Sequence, residues 1–329
     1  MKTLWNTLRN NIGLCCGLLL CLMFAAAILQ NHLGRGTAPE RMERDQGFAD
    51  FWKEAAELEK EAEEFAMAME AARKAAEQGD VEAQYELAHG YFEGWRGVPA
   101  DNAKSAYWLH VSAEQGFAPA QHTLGMFYAH LLWNEAIPQD YAKAAYWYRQ
   151  AAKQGEPEAQ FRLAMMYADG RGVDQDYAQA AQWFEKAAEE FSLAVFMLGQ
   201  MYALGLGVPH DYAKAAQYFQ EAEIAGDWWA RALLGLMYVA GKGVPHDRER
   251  GCVLLREAYE YLDTQVRTIV ELNANSEWLA DMWNPVVAQL TDLHNDMCLT
   301  ETDIPQDEAE KRLREYLANP PEWSGLLQQ

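Results

Sequence analysis

Five leucines, Leu87, Leu124, Leu163, Leu198 and Leu234, recur at intervals of 37, 39, 35 and 36 residues, and a tyrosine stands four residues after each. Leucine and tyrosine at i and i+4 share one face of a helix, so each pair marks the buried stripe of a first helix. The residue after the leucine is always small: Ala88, Gly125, Ala164, Gly199 and Gly235. That slot lets a neighbouring helix approach closely. Seven residues after the leucine comes a glycine turn, as in Gly170-Arg171-Gly172-Val173 and Gly205-Leu206-Gly207-Val208, with Gly94 to Val98 one residue longer. Glycine there supplies the left-handed conformation that ends a helix. A unit of two helices repeated about every 36 residues cannot bury its own face, so the units must stack into an α/α superhelical solenoid.

An aspartate opens each second helix, as Asp101, Asp140, Asp176, Asp211 and Asp247, where a carboxylate accepts the free amides of the first turn. Five residues on lies a small slot, and two residues beyond it a large apolar one: Trp108, Trp147, Trp183, Tyr218 and Leu254. Periodic aromatics of this kind are read as core. The combined pattern, A-Q-x-x-L-[AG]-x-x-Y, G-x-G-V and D-Y-x-x-A-x-x-[WY], resembles the Sel-1-like repeat, a relative of the tetratricopeptide repeat. The resemblance covers residues 80–263 as five repeats. Residues 48–79 read as an N-terminal helical cap that includes the second helix of an incomplete unit, and 264–329 as a C-terminal helical cap with a helix over Asp307 to Leu317.

Residues 1–29 stand apart. Ile12 to Leu29 holds no charge and follows a short leader with Lys2, Arg9 and no acid. Such a segment is a signal anchor spanning the inner membrane or a signal peptide cleaved near Ala27, and either way the body is exported. Residues 30–47, with Gly34, Gly36 and Pro39, read as a linker. The chain carries 49 acidic against 27 basic residues, a net charge of −22, and both leader cations lie outside the body. Such acidity argues against nucleic acid as a partner, because counterion release needs clustered cations. It favours a basic protein.

No catalytic, cofactor-binding or metal-binding set is legible. The body has five serines, none in a G-x-S-x-G context, and its glycine turns end helices instead of opening them, which argues against a phosphate cradle. His210 and His246 fall in the same slot of successive units, but stacked helix pairs lie about 10 Å apart, too far to share a metal. Trp95, Trp133, Trp228 and Trp229 fall outside the repeated slots and are the partner-binding candidates; Trp133 sits in His130 to Pro138, which replaces the second unit's glycine turn. Insertions in solenoids map to loops on one face, often the binding face, and aromatics anchor interfaces. Local packing of a longer loop is the alternative. Cys252 stands in the small packing slot and by default fills core; in an oxidising compartment Cys252 and Cys298 are the candidate disulfide.

The resemblance implies a protein–protein interaction scaffold or adaptor, working in a bacterial envelope complex or its regulation. A narrower expectation is a periplasmic immunity protein that binds a secreted toxin or lipase effector, as some proteins similar to this family do. A β-lactamase-like hydrolase is the alternative of a different class and rests on family association alone. The disulfide-rich branch of the family carries cysteine pairs inside each repeat; this sequence lacks them, so that branch's association with β-lactams does not carry over.

Overall fold

The computed structural model describes residues 70–94, 99–132, 134–272, 277–299 and 305–318, with a few further residues between 53 and 68. The expected membrane segment and linker lie outside these. Among the described residues all regular structure is helical, and no helix is long and apolar enough to cross a membrane. The chain divides into two compact units, one ending at Gln139 and one beginning at Asp140.

In the first unit, residues 70–77 are helical and lead into α1 (Val81–Glu93), α2 (Asn102–Glu114) and α3 (Ala118–Tyr128). The second unit holds α4 (Tyr141–Lys153), α5 (Pro157–Asp169), α6 (Tyr177–Ala187), α7 (Ser192–Leu204), α8 (Tyr212–Ile224) and α9 (Trp228–Ala240). There follow α10 (Arg248–Leu272), α11 (Glu277–Cys298) and α12 (Gln306–Ala318). The repeat pattern ends at Asp263, yet α10 runs straight through that residue, so no break in structure marks the start of the C-terminal segment.

Each hairpin is closed from both sides of its turn. Gly170, Gly205 and Gly241 end their helices at φ 68°, 68° and 61°. Asp101, Asp140, Asp176 and Asp211 each accept the amide three residues on at 3.0 Å. The amides of Asp101, Asp176, Asp211 and Asp247 donate back to the carbonyls of Tyr91, Tyr167, Tyr202 and Tyr238 at 2.8 to 3.0 Å. The repeat tyrosine therefore supplies its backbone to the turn as well as its ring to the helix face.

Units are joined by two further contacts. Gln84, Gln121 and Gln160, the glutamines of A-Q-x-x-L, are buried and donate to the carbonyls of Ala76, Ala113 and Ala152 at 3.0, 3.0 and 3.2 Å. Each thereby satisfies a carbonyl near the end of the preceding second helix, and its own burial is compensated. The second glycine of each turn lies on the backbone that starts the preceding second helix. A Cβ on Gly172, Gly207 or Gly243 would fall 2.1 to 2.2 Å from backbone atoms of Tyr141, Tyr177 or Tyr212. The small slot after the leucine has a similar cause, since a Cβ on Gly199 would lie 2.6 Å from the Phe219 ring.

The core of the second helices lies one residue beyond the expected slot. Leu109, Tyr148, Phe184, Phe219 and Leu255 are fully buried, whereas Trp108, Trp147, Trp183, Tyr218 and Leu254 are only half-buried. Residues two apart are about 200° apart around a helix, so the large slot cannot share the face of the small one; three apart, they do.

The N-caps differ in electrostatics. Asp101 and Asp140 are held below the usual carboxylate range, first by the backbone amides of Lys104 and Lys143. Asp227, which caps α9 through the amides of Trp229 and Ala230 at 2.9 Å, is pushed up by burial. Between the ordinary carboxyl pKa and this raised one, folded Asp227 holds more proton than unfolded, so its contribution to stability falls as pH rises.

Gly243→Ala should cost at least about 3 kcal/mol by denaturant midpoint, combining overpacking with backbone strain. Gly226→Ala, with φ 94° but open space around it, should cost only about 1 to 2 kcal/mol. Asp227→Asn keeps the cap acceptor and removes the half-buried charge, so at pH 7 it should be at least as stable as the parent. Its stability should also lose the parent's decline as pH rises from the ordinary carboxyl pKa; an unchanged pH profile contradicts the assignment.

Candidate partner-binding site

The structure separates the sequence candidates. Trp95 and Trp133 lie outside the described residues. Trp228 is half-buried with its ring edge-on to Trp229 at 5.5 Å. Trp229 is 1% exposed and is core, not a partner anchor. Its cover is α12, whose Tyr316 ring lies 6.0 Å away and whose Leu313 and Leu317 join the same buried cluster. Repeat periodicity could not show this, because the covering helix comes from beyond the repeats.

Cys252 and Cys298 are joined by a disulfide with 5.6 Å between their Cα atoms. It pins the start of α10 to the end of α11, next to the α12 contact. Lys242 pairs with Glu310 of α12 at 2.6 Å, and this pairing holds the Glu310 carboxyl below its usual range.

Among the described residues, no three His, Cys, Asp or Glu side chains converge as metal donors. His210 and His246 are exposed, each with its Cβ against the first glycine of its own turn, and His210 meets the Tyr212 ring edge at 4.4 Å.

What the first unit does contain is a cleft of about 330 Å³ between α1 and α3, floored by Ser105 and Leu109 of α2. Phe92 and Phe127, edge-to-face at 5.1 Å, form its apolar end together with Met126 and Leu132. At the other end the Tyr85 hydroxyl and Thr123 Oγ1 lie 3.3 Å apart. His89 and Glu93, 3.6 Å from each other, stand on the rim. Leu132 comes from the insertion that replaces the second glycine turn. In that insertion His130 takes φ 57°, Ile137 and Asn134 are buried, and the Asn134 side chain donates to the Asn102 carbonyl at 3.3 Å. The insertion thus packs locally and also lends a residue to the cleft. Sequence reasoning pointed to the insertion through Trp133 but missed Phe92, Met126 and Phe127, whose spacing is that of ordinary helix residues. Two exposed tyrosines, Tyr107 at 61% and Tyr146 at 51%, sit in the same register of α2 and α4, each edge-on to the tryptophan that follows it.

The Sel1 repeat family model matches residues 81–117, 118–156, 157–190, 192–227 and 230–260, together more than half of the chain. This chain belongs to the Sel1 repeat family. Its five Sel1 repeats begin within a residue or two of α1, α3, α5, α7 and α9. A Sel1 repeat protein from Oxalobacter formigenes is 28% identical, with 61% of this chain and 84% of that one covered and a TM-score of 0.53. A protective antigen with an SLR fold, from uropathogenic Escherichia coli strains, is also 28% identical, over 78% of this chain and 65% of that one, at a TM-score of 0.41. An immunity protein from Pseudomonas aeruginosa is 19% identical over 76% and 88% at 0.33. No curated protein matches.

The disulfide generates a prediction for the Sel1 array. Closing a chain separation of 46 residues is worth up to about 4 kcal/mol on loop entropy. Reductant should therefore lower the unfolding midpoint of the parent and leave that of Cys298→Ser unchanged; equal midpoints for parent and variant under oxidising conditions would show that the bond carries no stability.

Proposed function

We propose that this Sel1 repeat protein is an exported scaffold, held at the bacterial inner membrane through residues 12–29, whose body binds a basic protein partner in an envelope complex. The open cleft between α1 and α3 carries the reading. It is apolar at one end and rimmed by Glu93. The Sel1 repeat is a protein-interaction fold, and its stacked first helices offer the partner a surface that no other described element covers at this point. Export is supported by the uncharged run from Ile12 to Leu29 and by the Cys252–Cys298 bond, since disulfides persist in oxidising compartments. A basic partner is supported by the net charge of −22.

The test is photo-crosslinking in intact cells, with the photoreactive residue replacing Thr123, Tyr107 or Tyr146 in turn and the captured proteins identified by mass spectrometry. A discrete envelope protein is expected from at least one position, and protease added to spheroplasts should degrade the body. A secreted toxin or lipase among the captures narrows the scaffold to an immunity role. No specific capture from any position, or a body protected from protease, overturns the reading.

A further inference from the structure

The C-terminal segment shows what a first-helix face of this chain accepts. Helix α12 lies on α7 and α9, and Ala309, Leu313 and Leu317, spaced i, i+4 and i+8, are its fully buried stripe. The acid of α12, Glu310, meets Lys242, eight residues after the repeat leucine Leu234. The chain thus seats an amphipathic helix by an apolar stripe and one charge pair at the rim.

The cleft between α1 and α3 likewise lies between two successive first helices, and its charges differ. No glycine turn follows α3, and in place of a cation such as Lys242 its insertion brings Leu132 to the cleft. The register of Glu93, six residues after Leu87, is held by the apolar Leu204 and Ala240 in α7 and α9. Among the described lining residues the charged rim is Glu93, with His89 3.6 Å from it, so a helix that brings a cation finds the Glu93 carboxylate. The cleft therefore suits a basic helix.

We propose that the cleft is the seat of a basic amphipathic helix of the partner protein, whose long apolar side chains enter between Phe92, Met126, Phe127 and Leu132 and whose Lys or Arg pairs with Glu93. This rests on the scaffold reading and assigns the secondary structure and charge of the bound segment. The insertion of the second repeat, by contributing Leu132, sets the apolar end.

The test uses the full chain in lipid nanodiscs and two synthetic helical peptides, with leucine at i, i+4 and i+8 and either lysine or glutamate on the flanks, read by fluorescence anisotropy. The lysine peptide should bind at least about tenfold tighter than its glutamate twin. Met126→Glu, a half-buried position, should abolish binding without changing the melting temperature, and Glu93→Lys should invert the preference between peptides. Thr123→Trp, which fills the cleft, should weaken binding independently. Equal affinity for the two peptides, no binding of either, or binding indifferent to Glu93→Lys overturns the proposal. A partner captured through Tyr107 or Tyr146 while neither peptide binds sinks the cleft and leaves the scaffold standing; loss of all capture sinks the scaffold itself.

Discussion

The contact on which the array depends is backbone against backbone. At Gly172, Gly207 and Gly243 the turn of one repeat touches the first residues of the preceding second helix so closely that no Cβ fits. Apolar burial is non-directional and would tolerate sliding between units; a contact between main chains does not. It sets the spacing of successive hairpins, and the leucine ladder, the buried glutamines and the tyrosine carbonyls fall into register around it. The turn of the second repeat has neither glycine, and the division between the two compact units falls at its end, between Gln139 and Asp140.

Much of this was legible in the sequence because the same chemical demand is met several times. Leucine, small residue, tyrosine, glycine and aspartate recur at fixed offsets, so helix ends and first-helix faces can be read without a structure. Where the reading strayed, geometry explains it. The tryptophans of the second helices are conspicuous, but they stand two residues from the small slot and so point away from it, while Leu109 and Phe184 beside them look ordinary and fill the core. The glutamine of A-Q-x-x-L was visible as a pattern, but its role required knowing that the preceding helix ends within 3.2 Å of its amide. Trp229 is buried by α12, some eighty residues further along the chain, and no local pattern reports a contact of that span. The site was less legible than the fold because its members, Phe92, Met126 and Phe127, vary from repeat to repeat, and variation within a repeat pattern looks like noise until the positions are placed together.

The C-terminal segment closes the array by the same means that a partner would use to engage it. Stacked units always leave a last face unpaired, and an uncovered apolar face is an aggregation hazard. Here α11 and α12 continue the core, with Leu290, Leu293, Leu313 and Leu317 fully or nearly buried, and the disulfide holds α10 and α11 together. The fold therefore consumes one first-helix face for its own stability and leaves another, between α1 and α3, open. Both faces are built from first helices, and their side chains differ, which is how a repeat fold separates stability from recognition.

Charge is divided along the same line. Many of the described cations are engaged within the chain: Lys104, Lys214 and Arg250 lie over the rings of Tyr91, Tyr202 and Tyr238 at 5.2, 4.3 and 4.4 Å, and Arg231 pairs with Glu223 at 3.1 Å. The first three share one register, three residues after the capping aspartate, so the repeat itself directs basic side chains onto its own tyrosines. With 49 acids to 27 cations, the excess that faces solvent is carboxylate. A field of that kind speeds the approach of any basic protein and is screened beyond about 10 Å at moderate salt, so it cannot by itself select one. Selection needs a short-range feature that holds what the field has gathered, since most differences in affinity lie in the rate of leaving. A desolvated aromatic end beside one rim carboxylate, as at Phe92 and Glu93, is such a feature: the surface charge governs arrival, and the shape of the cleft governs which arrivals stay.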